Sequence, residues 1–166
     1  MDDVRLVFTA SQSWFGRLIL WFTKSKTSHV FIEFPVWDRR MVVESTVGGT
    51  RMVLATKARH GVVAEYKLNV ETKPSLIKLM PYLGTPYDYS GLLLLAWARI
   101  ALSWAKAKVK QPLWGTKAVK CLELVAVFIN ELGLLQEDWV FEFISPEDIR
   151  TYVSKHEDKF ERVLNA

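Results

Sequence analysis

Cys121 is the only cysteine of this chain, and it stands where "GTKAVK" gives way to the apolar pattern "CLELVAVFINELG". A thiol attacks a carbonyl as its thiolate, and a helix N-terminus stabilises that anion through unpaired N–H groups and the helix dipole. Lys117 and Lys120 add positive charge nearby in sequence, and Glu123 opposes it slightly. The placement suits a nucleophile. The competing account is a small buried hydrophobe at the start of a core helix, the commonest use of a free cysteine.

A catalytic thiol needs a base, and the chain offers His29, His60 and His156. His156 falls in the charged tail "SKHEDKFER", read as a solvated helix face, and His60 in "KARHGVV", read as a surface turn. His29 opens the apolar run "SHVFIEF". In a strand, Ser28, Val30, Ile32 and Phe34 point one way and His29, Phe31 and Glu33 the other. A rigid strand is a good mount for an imidazole that must meet a helix-borne sulfur, although a structural histidine satisfies the same pattern.

The base in turn needs a group that fixes its tautomer. Glu33 shares a face with His29 but lies roughly 13 Å along the strand, beyond a direct hydrogen bond. Glu44, in "MVVEST", belongs to the next strand. Adjacent strands are about 5 Å apart, so a suitable register brings its carboxylate to His29, and a slip of one residue turns it away.

The elements that must position these residues follow from periodicity. "VRLVFTA" predicts a strand, and "SWFGRLILWFTK" a helix with Phe15, Leu18, Ile19 and Phe22 on one face. "SHVFIEF", "MVVEST", "RMVLAT" and "VVAEYKLNV" are short β-branched and aromatic runs joined by "PVWDRR", "VGGT" and "KARHG". They predict an antiparallel meander of neighbouring strands. From Pro74 onward helices are expected near 75–83, 90–108 and 119–132, the last closed by Gly133. A further helix begins at "SPEDIRTYV", with Ser145 as cap and Pro146 in the first turn. The class is α+β, an antiparallel sheet packed against helices, in a single domain over 1–166.

Composition excludes several functions. Of 166 residues half are hydrophobic, enough for one sizeable core. The net charge of +4 and pI near 9.2 leave basic residues dispersed and without a recognised motif, so nucleic-acid binding is not expected. One cysteine and three histidines in this arrangement imply no metal and no cofactor. "MDDVRLVFTA" lacks the order of a signal peptide, which predicts cytoplasmic synthesis. The run "GLLLLAWARIALSWAKAKVK" is interrupted by Arg99 and falls short of the roughly 20 apolar residues of a membrane span.

The order "SHVFIEF", "VVEST", "GTPYDY", "KCLELV" resembles the circularly permuted branch of the papain-like, NlpC-type superfamily of cysteine hydrolases, bacterial or phage-encoded. Lecithin:retinol acyltransferase is a remoter member. In that branch the histidine strand precedes the cysteine helix, as here, and the opening "VRLVFTASQSWFGRLILWFTKSKTSHVFIEF" is also similar to it. The matching motifs reach from the N-terminus to about residue 132.

The resemblance implies Cys121 as nucleophile, His29 as general base and Glu44 as the residue that orients the imidazole, with the Cys121 N–H in the oxyanion hole. It implies a substrate-pocket role for Tyr87 in "GTPYDY", which a core tyrosine would also satisfy, while Asp88 reads first as a helix cap. Lys120 and Leu122 stand where the family often has an aromatic residue and a serine. The hydrophobic segment 90–114, with Trp97, Trp104 and Trp114, stands as an insert that packs on the core, forms a lid, or meets a membrane or virion partner. The implied activity is cleavage of an amide bond through a thioester, in a cell-wall peptide, by an enzyme carried in a virion or delivered to the wall. The alternatives are acyl transfer on a lipid at the same site, or a non-catalytic virion protein keeping the scaffold.

Overall fold

The computed structural model describes residues 3–10, 17, 20–21, 25–87, 121–134 and 145–165. The expected helix at 90–108, the insert 90–114 and Asp88 lie outside them. So does most of the helix expected around Phe15 and Phe22, of which Arg17, Leu20 and Trp21 are described and helical.

Alternating apolar residues make the strands β1 (Arg5–Thr9), β2 (His29–Val36), β3 (Arg39–Thr46), β4 (Gly49–Leu54) and β5 (Val62–Leu68). The helices α1 (Lys73–Leu79), α2 (Cys121–Glu131) and α3 (Pro146–Ser154) follow, and β6 (Phe160–Asn165) closes the chain. The class is α+β. The six strands of the described residues form one antiparallel sheet in the order β4-β3-β2-β1-β5-β6.

That order corrects two expectations. The meander holds for β2, β3 and β4, but β5 pairs with β1, not β4. β1 is central in the sheet: its Leu6, Val7 and Phe8 are fully buried, and its backbone pairs with β2 on one edge and β5 on the other. A short 3-10 turn at Ala55–Lys57 carries the chain away from β4, and the Ala10 N–H donates to the Gly61 carbonyl at 2.8 Å, docking β5 beside β1. The second correction concerns "SKHEDKFER", which is not a helix face. His156 lies past the C-terminal end of α3, with Nδ1 2.8 Å from the Tyr152 carbonyl, and the chain turns there into β6. Phe160, 1% exposed, anchors that edge strand in the core.

The two faces of the sheet bury different sets. Val30, Ile32 and Phe34 of β2 join Leu6, Phe8 and Val43 in the main core under α2, which supplies Leu124, Val125, Phe128 and Ile129. Phe31 faces the other way, with Val7, Val42 and Ala55. α2 packs on β2, β3 and α1. It ends as its glycine requires: Gly133 takes φ +66, its N–H donates to the Asn130 carbonyl and the Leu134 N–H to that of Ile129. α3 begins with a reciprocal cap, in which Ser145 Oγ accepts from the Asp148 N–H and Asp148 Oδ2 accepts from the Ser145 N–H.

On the second face, buried acids are matched by arginines. Glu33 is fully buried and is bonded by Arg40 and by Arg59, the latter at 2.8 Å, while Arg59 also reaches Glu65 at 2.5 Å. Arg5 joins Glu65 to Asp3, and Arg40 also bonds Asp3. A buried carboxylate costs several kcal/mol unless it is paired in this way, roughly the cost of desolvating one ion.

Candidate functional site

His29 is the first residue of β2, opposite Thr9 of β1. The segment leading into it is fixed by polar contacts: Ser25 Oγ donates to the Thr27 carbonyl at 2.7 Å, and Ser25 and Thr27 reach the Glu147 carboxylate of α3 at 3.4 and 3.3 Å. The imidazole packs near the Phe31 ring, with centroids 6.0 Å apart. Its side chain keeps 19% exposure.

Glu44 meets it from β3. Glu44 follows Val43, whose pairing with Ile32 is the last between β2 and β3, so it stands at the end of the paired stretch toward which His29 also lies. Glu44 Oε2 lies 3.1 Å from His29 Nε2, and the Glu44 side chain is 4% exposed. An ionised carboxylate only accepts, so Nε2 carries the proton and Nδ1 is the nitrogen left to act on a thiol.

Cys121 begins α2 and is buried at 6% exposure, within the main core cluster. Its side chain acts on the imidazole. Burial opposes the charge on His29, but the Cys121 side chain and then the Glu44 carboxylate favour it as hydrogen-bonding and coulombic partners, and together they raise the imidazole to about 9. For Glu44, burial pushes the carboxyl up, and His29 and Arg51 outweigh it, holding the group below the ordinary carboxylate range. The His29 cation is thus favoured by both neighbours, and the Glu44 anion by His29 and Arg51.

Arg51 is the member of this group that sequence reasoning missed. It lies opposite Glu44 on β4, and its Nε and Nη2 both donate to Glu44 Oε1, at 2.9 and 2.7 Å. Tyr87 is buried. The segment before it is docked on the start of β4: the Thr50 N–H donates to the Thr85 carbonyl and the Gly84 N–H to the Thr50 carbonyl, both at 2.8 Å. Its backbone therefore arrives beside the strand that carries Arg51. Leu122 is buried, and Lys120 lies outside the described residues. His60 is exposed in the β4–β5 connection, and His156 is engaged at the end of α3. Among the described residues no helix is long and apolar enough to cross a membrane.

The arrangement supplies an imidazole that exchanges a proton, an oriented carboxylate and a thiol at the start of a helix, which are the parts of nucleophilic acyl chemistry. In comparisons with known proteins, the chain matches no family model and no curated protein sequence.

Proposed function

We propose that this chain is a thiol hydrolase with a permuted papain-like (NlpC-type) fold, cleaving an amide bond in a cell-wall peptide through a Cys121-His29-Glu44 site. The observation that carries the reading is the His29 Nε2–Glu44 Oε2 contact at 3.1 Å, on a histidine whose proton the Cys121 side chain at the start of α2 also favours. His29 takes the Cys121 proton, and the S–C bond forms as the thiolate adds to the amide carbonyl. Backbone N–H groups at the start of α2 hold the oxyanion. The imidazolium then gives its proton to the departing amine as the C–N bond breaks, leaving a thioester, which water attacks with His29 as base.

The non-catalytic scaffold reading expects a buried Cys121 without contact to His29. Cys121 is buried, and what favours the enzyme is that its side chain is among the groups that favour the His29 proton. The test is the rate of Cys121 alkylation by iodoacetamide as a function of pH, beside cleavage of peptide amides and of lipid esters. Thiolate reactivity well below the ordinary thiol value of about 8.5, lost in His29→Ala, is the expected result. A thiol equally inert in both folded proteins sinks the proposal. Turnover of lipid esters alone moves the substrate class to acyl transfer.

A further inference from the structure

We infer that Arg51 is the positioning residue of this site, a permanent cation that fixes the Glu44 carboxylate with one oxygen turned toward His29. The inference rests on the thiol-hydrolase reading. The hairpin sets it up: β3 and β4 are joined by the two residues Val47 and Gly48, with Thr46 opposite Gly49, and this register brings Glu44 directly across from Arg51. Both Arg51 donors go to Oε1, at 2.9 and 2.7 Å, and Oε2 is the oxygen that His29 meets. A glutamate carboxylate held at one oxygen by a planar fork loses the rotations that would take the other oxygen away from the imidazole.

The charge of Arg51 has a second use. Burial drives Glu44 toward its neutral form, and the groups that oppose this are His29 from β2 and Arg51 from β4, with Cys121 of α2 reaching Glu44 only through His29. The His29 charge comes and goes in each catalytic cycle, since it must give its proton to the leaving amine. The two Arg51 donors do not depend on that proton, so Glu44 remains paired and aimed while the imidazole is neutral. The Arg51 side chain is 52% exposed, so its head sits at the rim of the site and not in the core.

The inference is tested with Arg51→Met and Arg51→Lys in the full chain, by NMR titration of the Glu44 carboxyl and by the alkylation rate of Cys121 across the carboxylate and thiol ranges. In Arg51→Met the Glu44 titration moves upward, and the alkylation rate at about pH 5 falls about two- to fivefold, the factor a partly exposed ion pair commands. At about pH 8, where Glu44 is ionised in either protein, the part of the loss due to titration disappears and the smaller loss from the missing fork remains. Arg51→Lys keeps the charge and returns the titration toward the parent, and it serves as the working variant if Arg51→Met does not fold: its lost fork then appears as a smaller rate loss without a titration shift. A Glu44 titration and an alkylation profile unchanged in folded Arg51→Met, with His29-dependent reactivity intact, overturn the role of Arg51 alone. A parent thiol that never depended on His29 overturns the hydrolase reading, and this inference with it.

Discussion

His29 Nε2 and Glu44 Oε2 meet at 3.1 Å just beyond the stretch over which their strands pair, which runs from Val36 and Arg39 to Ile32 and Val43. The contact joins the strands by side chains at the point where α2 brings in Cys121. Because burial opposes the His29 charge while Cys121 and Glu44 favour it, the imidazole reports directly on the assembly of the site. Its NMR titration is expected near 9 in the parent. In the Cys121→Ala, Glu44→Gln double variant, burial acts unopposed and the midpoint drops below 6.5.

The same raised pKa sets a stability profile. The folded state binds the His29 proton more tightly than the unfolded chain, so the contribution is complete below 6.5 and is lost as pH rises through about 9. Thermal unfolding midpoints should fall over that window in the parent and change less in His29→Gln. Equal slopes in the two proteins would show that His29 is not held as described.

Arg59 offers a separate test, on the second face of the sheet. It bonds Glu33 and Glu65, which are 0% and 2% exposed, and its own side chain keeps 31% exposure. Arg59→Met leaves each carboxylate short of a partner and should lower stability by about 1–3 kcal/mol in urea unfolding, a figure reduced because solvent screens the partly exposed guanidinium. The sign with pH is opposite to that of His29. Burial raises the Glu65 carboxyl, but Arg59 and Arg5 hold it below 4.5, so its contribution is present above 4.5 and is lost as pH falls. Arg59→Met should flatten that acid slope.

These relationships differ in how far they can be read from the chain. The run "SHVFIEF" sorts into two faces by alternation, and the structure buries Ile32 and Phe31 in separate clusters accordingly. The Glu44–Arg51 pair is also readable, because a two-residue loop in "ESTVGGTR" fixes the hairpin register. The His29–Glu44 contact depends on the loop between β2 and β3 being Trp37 and Asp38 alone, and "PVWDRR" does not announce this, since a tryptophan is an unusual loop residue. The place of β5 was hidden because strand order depends on which edge of β1 is open, a non-local property. β6 was hidden because an edge strand rich in charge, with Phe160 as its anchor, has the composition of a solvated helix face.

That tryptophan carries its own prediction. Trp37 has φ +54, a left-handed backbone that costs a bulky residue about 1–2 kcal/mol, and it is 97% exposed, so burial returns almost nothing. Asparagine tolerates the conformation at a turn. Trp37→Asn should therefore raise stability by about 0.5–1 kcal/mol without altering Cys121 alkylation. A loss of stability would show that the indole makes a compensating contact.

The path by which β5 reaches β1 is testable at Gly61. Its φ of +65 nearly equals the +66 of Gly133, but their surroundings differ: a Cβ on Gly61 would stand 2.5 Å from the Ala10 carbonyl oxygen, whereas among the described residues a Cβ on Gly133 meets nothing within 4 Å. Gly133→Ala should thus cost about 1–2 kcal/mol, the left-handed penalty alone. Gly61→Ala must also push the two backbones apart and strain the Ala10–Gly61 hydrogen bond of 2.8 Å, so it should cost about 1–3 kcal/mol more. The difference between the variants, measured by urea unfolding, isolates the close approach from the shared backbone strain. Equal costs would mean that β5 can dock on β1 without it, and that the buried apolar faces of β1 alone choose its neighbour.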